Sequence, residues 1–79
     1  MTKTAFIAAL TAALRDTYQW AHDPAKLDCF MQAVRSTLRM PFDGSTHGWC
    51  FSGGCTTVAW RAIGGKGQPT LKALIALPE

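Results

Sequence analysis

Three cysteines and two histidines are the residues best suited to chemistry in this chain. His47, Cys50 and Cys55 follow a His-x2-Cys-x4-Cys spacing. That is part of a tetrahedral zinc set, which Cys29 or His22 would have to complete. No Cys-x2-Cys knuckle is present, and Cys29 falls within a strongly helical stretch near its apolar face. Free, partly buried thiols are the simpler reading. A disulfide, either Cys50–Cys55 or intermolecular, does not suit the reducing compartment expected for this chain. Cys50 beside His47 also has the elements of a nucleophile and its base, but Asp43 is the one acid placed to orient the imidazole. Carboxylates for paired acid–base work are missing, because the acids are cap-like aspartates and the single glutamate, Glu79. Neither an enzyme nor a cofactor is therefore expected.

Two further motifs invite a phosphate. The run Gly64-Gly65-Lys66-Gly67-Gln68-Pro69-Thr70 imitates a phosphate loop, but its spacing is wrong and a helix precedes it. Helix punctuation explains the glycines better, although Lys66 and the backbone at 69–71 could still meet one phosphate. As a DNA-binding helix-turn-helix, the segment from 55 onward offers only Thr70 and Lys72 on an otherwise apolar second helix. Base-specific reading is not expected of it.

What remains is charge and aromatic surface. Eight Lys and Arg stand against five Asp and Glu, a net charge of +3. Residues 1–34 are balanced: Lys3, Arg15 and Lys26 against Asp16, Asp23 and Asp28. The excess lies after them, in Arg35, Arg39, Arg61, Lys66 and Lys72 against Asp43 and Glu79. Such asymmetry attracts an acidic protein face or a polyanion. The expected contact surface is Arg35, Arg39, Arg61, Lys66 and Lys72, with Trp49 and Phe51 as aromatic anchors. Trp60 beside Arg61 resembles an interface anchor, but its neighbours Ala59 and Ile63 favour the core.

The elements that must position these residues are legible in the periodicity. Seventy-nine residues make one domain with a small core, and 16% charged residues against 48% hydrophobic exclude a disordered chain. No apolar run reaches the roughly 20 residues of a membrane span. Lys3 and the apolar stretch at 5–14 loosely imitate a signal peptide, but the stretch is short and no clean small-x-small site comes after it. A cytoplasmic protein is expected. Residues 4–21 read as a helix with Thr4 as N-cap and Ile7, Leu10, Leu14, Tyr18 and Ala21 as its apolar stripe. Asp23-Pro24 opens a second helix, with core positions Leu27, Phe30, Met31, Val34 and Leu38, which Pro41 ends. The short link predicts an antiparallel pair.

Residues 41–54 hold four glycines and three aromatics and break the pattern. They form an irregular loop, with a possible short β-hairpin pairing 49–51 with 55–57. Residues 55–63 read as a third helix through Val58, Ala59, Ala62 and Ile63, capped by Gly64-Gly65. A fourth helix opens at Gln68-Pro69, buries Leu71, Leu74, Ile75 and Leu77, and stops at Pro78. The fold class is all-α, a small bundle of about four short helices in one domain spanning 1–79.

The stretch Ala59-Trp60-Arg61-Ala62-Ile63-Gly64-Gly65-Lys66-Gly67-Gln68-Pro69-Thr70-Leu71-Lys72-Ala73-Leu74 resembles small accessory proteins encoded by phages and prophages, with a looser likeness in the first two helices. That class includes anti-CRISPR proteins. The resemblance implies a cofactor-free inhibitor that binds a host effector complex and blocks target-DNA binding by steric or electrostatic means. It carries over no residue roles. The alternative is a small nucleic-acid-binding protein using the same cations. A homodimer would let so small and apolar a chain bury more surface.

Overall fold

A computed structural model describes residues 1–42, 44 and 53–79. Its α-helices are, in order, α1 (Lys3–Thr17), α2 (Pro24–Arg39), α3 (Gly53–Ala62) and α4 (Leu71–Ile75), with a 3-10 turn at Gln19–His22 between the first two. Among the described residues there is no strand, as expected of an all-α bundle. No helix among them is long and apolar enough to cross a membrane.

The cap of α1 is Thr2 rather than Thr4. Thr2 Oγ1 accepts from the Ala5 N–H at 3.0 Å, which satisfies one of the free donors of the first turn. The helix also ends earlier than its apolar stripe suggests. Tyr18 is extended at φ −121° and ψ 134°, and the chain tightens into the 3-10 turn. This break redirects residues 19–22, so that Ala21 is buried in the core and Trp20 packs against Phe30. The buried face of α1 is Phe6, Leu10, Ala13 and Leu14, with Ile7 only half-buried.

Helix α2 starts as its sequence dictates. Asp23 Oδ1 accepts from the Ala25 N–H at 3.0 Å, with Pro24 at the first helical position. It ends at Met40, extended at ψ 144° as the residue before a proline must be. Met31, Val34 and Leu38 are buried, while Leu27 and Phe30 pack against the core half-buried. One cleft is shared by the start of α1 (Lys3, Thr4, Ile7) and the end of α2 (Arg35, Leu38, Arg39). A second groove joins Thr11 to Leu27, Met31 and Arg35. The two helices are therefore antiparallel, as the short link predicts.

Helix α3 begins two residues before position 55 and makes the most extensive contact of any helix pair, with α1. Cys55, Thr56 and Ala59 are buried. The 55–57 arm of the expected hairpin is thus helical, because these residues at helical spacing pack on α1. Its other arm, 49–51, lies outside the described residues. Val58, expected on the apolar stripe, faces solvent at 59% exposure, and Thr56 takes an inward position. Thr56 Oγ1 is buried without a hydrogen-bond partner. A buried hydroxyl in that state carries its desolvation cost uncompensated. Thr56→Val, nearly the same shape, is expected to raise stability by about 1 kcal/mol in urea denaturation. A loss of that size would contradict the orphaned hydroxyl.

Gly64, at φ +103°, turns the chain out of α3. The Gly65 N–H donates back to the Trp60 carbonyl at 2.9 Å, the left-handed exit expected for Gly64-Gly65. Helix α4 starts at Leu71, later than Gln68-Pro69 suggests. Thr70 Oγ1 caps it, accepting from the Ala73 N–H at 3.1 Å. Leu71, Leu74 and Leu77 are buried, whereas Ile75 is half-buried. The chain then returns to α1. The Lys3 N–H donates to the Pro78 carbonyl at 2.7 Å, Lys3 Nζ to the Leu77 carbonyl, and Thr4 Oγ1 to the Glu79 carbonyl at 3.1 Å. Residues 77–79 thereby serve donors at the start of α1 that the helix itself leaves open.

Candidate functional site

The cleft between the start of α1 and the end of α2 has a volume of about 180 Å³. Three cations line it: Lys3 from α1, and Arg35 and Arg39 from α2. The two arginines are four residues apart on one helix and so share a face. Both are exposed, and neither makes a hydrogen bond or ion pair with a described residue. Ile7 and Leu38 supply apolar lining, and Glu79 is the one acidic residue among the described lining residues. Lys3 is held by its bond to the Leu77 carbonyl. Arg39 lies in the last turn of α2, where the helix dipole favours positive charge.

The other expected contact residues are not in that lining. Arg61 is exposed at the end of α3, Lys66 in the link between α3 and α4, and Lys72 on α4. Trp49 and Phe51 lie outside the described residues. The basic set read from the sequence is therefore partly gathered: Arg35 and Arg39 meet, and their third cation is Lys3 instead of Arg61, Lys66 or Lys72. No local signal pairs Lys3 with Glu79. Their proximity comes from chain segments that are distant in sequence.

Trp60 is half-buried and packs against the core. Its indole Nε1–H donates to the Lys66 carbonyl at 3.1 Å, so the ring fastens the α3 exit. A different aromatic surface, which the periodicity does not flag, forms at the α1–α2 elbow. Tyr18 stacks on Trp20 with ring centroids 5.7 Å apart, and Trp20 meets Phe30 at 5.4 Å. Trp20, Phe30, Lys26 and Cys29 line an open apolar cup there. Its signal is the Tyr18-x-Trp20 pair with Phe30 ten residues on, hidden because 18–21 reads as a continuation of the first helix.

The thiols separate by burial. Cys29 is exposed, not turned to the apolar face, because that face of α2 is taken by Met31, Val34 and Leu38. Cys55 is buried and free. Its Sγ lies 3.6 Å from the Ala13 carbonyl oxygen and 3.5 Å from Thr17 Oγ1, donating into the end of α1. Asp43, His47 and Cys50 lie outside the described residues, and the nucleophile pair lies there with them. Among the described residues no three His, Cys, Asp or Glu side chains gather as a metal site. Judged as a helix-turn-helix, α4 has five residues and exposes Lys72 but not its leucines.

No protein-family model, curated protein or solved structure matches this chain.

Proposed function

We propose that this protein is a non-enzymatic binding module that sets the cleft of Lys3, Arg35 and Arg39 against an acidic face of a partner protein. The particular form is an inhibitor of phage type, of which anti-CRISPR proteins are the model. It binds a host effector complex and blocks access of target DNA. The observation that carries the reading is the pair of exposed arginines on one face of α2, beside Lys3, without an ion pair or hydrogen bond to any described residue. Uncommitted guanidinium groups are free to form bidentate bonds with carboxylates.

The test is a target-DNA binding assay with a purified host CRISPR effector complex, with and without the protein. The protein is expected to suppress DNA binding. Arg35→Glu/Arg39→Glu is expected to raise the concentration needed by more than about tenfold, since reversing rim charges converts attraction to repulsion. Equal potency of the double variant would reject this surface. The same free cations support a second reading, phosphate contact with nucleic acid. That reading expects a gel shift that weakens steeply across a salt series, and the absence of any salt-sensitive shift rejects it.

A further inference from the structure

Resting on the protein-binding reading, we infer that the α1–α2 cleft is a receptor for a single aspartate or glutamate side chain of the partner, and that Glu79 is its built-in competitor. The cleft is small and mixed in character. Its volume is about 180 Å³, and a void on the order of 150 Å³ takes a benzene-sized molecule. That room suits one side chain and not a helix or a strand. Ile7 and Leu38 offer apolar contact for methylene groups, while Arg35, Arg39 and Lys3 line the same cleft. A short apolar stem ending in a carboxylate matches this lining. A nucleic-acid strand, with its phosphates spread along a continuous backbone, asks for a longer cationic track, and Arg61, Lys66 and Lys72 are not in this lining.

Glu79 is the anion already present. Its backbone is held at the cleft by the Thr4 hydroxyl, 3.1 Å from its carbonyl oxygen, and by the neighbouring bonds from Lys3 to Leu77 and Pro78. Glu79 lines the cleft together with the three cations, and its side chain makes no ion pair with a described residue. It screens the site and repels a second carboxylate, and an incoming acidic side chain must displace it. Because bonds to main-chain carbonyls hold the segment, Glu79→Gln removes the side-chain charge alone and leaves the clasp intact.

The experiment is a chemical-shift titration of the full chain with N-acetylglutamate N-methylamide at constant ionic strength. This probe bears one side-chain carboxylate. Saturating shifts are expected at Lys3, Thr4, Ile7, Arg35 and Arg39. They should be lost in Arg35→Gln/Arg39→Gln, whose thermal melt verifies folding. Glu79→Gln is expected to tighten binding roughly two- to fivefold, the range of one partly screened charge. If the probe saturates the cleft but Glu79→Gln binds no tighter, the competitor role is overturned while the protein-binding reading stands. If the probe shifts no cleft residue while the effector assay still depends on Arg35 and Arg39, the single-side-chain site is overturned and the broader surface stands. If a short oligonucleotide saturates the cleft at far lower concentration than the probe, the carboxylate assignment is overturned in favour of phosphate.

Discussion

Phe6→Ala is expected to bring the protein to the edge of unfolding at room temperature, whereas Ile7→Ala, one residue along, leaves it folded. Phe6 is fully buried and belongs to the cluster formed with Leu10, Leu14, Val34, Leu38, Ala59 and Leu74. Truncating a core phenylalanine costs about 3–5 kcal/mol, from lost transfer energy and the cavity left behind. A chain of 79 residues holds roughly 4–12 kcal/mol in total. The loss is thus about a quarter of the stability or more, a fall in Tm on the order of 15–30 °C for a domain this small. Ile7 lines the cleft and is half-buried, so its truncation costs about 1–2 kcal/mol. Circular-dichroism melts and urea titrations of the two variants measure the difference. The reverse order would mean that α1 faces the core in the other register.

Gly65→Ala is the second large effect, and its cause is a ring rather than a backbone angle. A Cβ at this position would stand 2.2 Å from Cε2 and 2.3 Å from Nε1 of Trp60, far inside van der Waals contact. The indole must leave its place, which also breaks its bond to the Lys66 carbonyl. Overpacking of this kind costs about 1–3 kcal/mol, and the lost hydrogen bond adds about 1 kcal/mol. Gly64 is the contrast. Its φ of +103° strains any side chain, yet a Cβ there meets nothing within 4 Å. Gly64→Ala therefore costs only the conformational penalty, about 1 kcal/mol. A double-mutant cycle separates the two causes. In a Trp60→Leu background the cost of Gly65→Ala should fall to below about 1 kcal/mol, whereas that of Gly64→Ala should not change. An undiminished Gly65 penalty would remove the ring from the explanation.

Legibility in the sequence tracks the range of the interaction. The Asp23-Pro24 start, the stop before Pro41 and the exit at Gly64-Gly65 are readable because each rests on neighbours a few residues apart. The stripe on α2 is readable for the same reason: Met31, Val34 and Leu38 repeat at helical spacing. The first helix is harder. An alanine-rich segment supports several registers almost equally, and the period favours Ile7 where the core takes Phe6. Its end at Thr17 is hidden because Tyr18 and Ala21 continue the period while the backbone breaks into a 3-10 turn. Thr56 escapes notice because a threonine inside a helix carries no polar partner in its own sequence neighbourhood to mark it as buried.

The candidate site divides along the same line. Arg35 and Arg39 can be paired from the sequence alone, since a spacing of four places two side chains on one helical face. The positive excess of the second half is also visible by counting. Lys3 and Glu79 are not, because they reach the cleft through bonds between segments more than seventy residues apart. The sequence by itself determined that this is a small all-α domain, where its second helix starts and stops, and that its surplus charge is positive. Only the tertiary structure decided which cations share a cleft, that Glu79 lines it with them, and that Trp60 locks a turn while Trp20 and Phe30 form a surface. The reason is that capping and periodicity act within a turn or two of helix, whereas a cleft is made by the packing of helices whose contacts have no local signature.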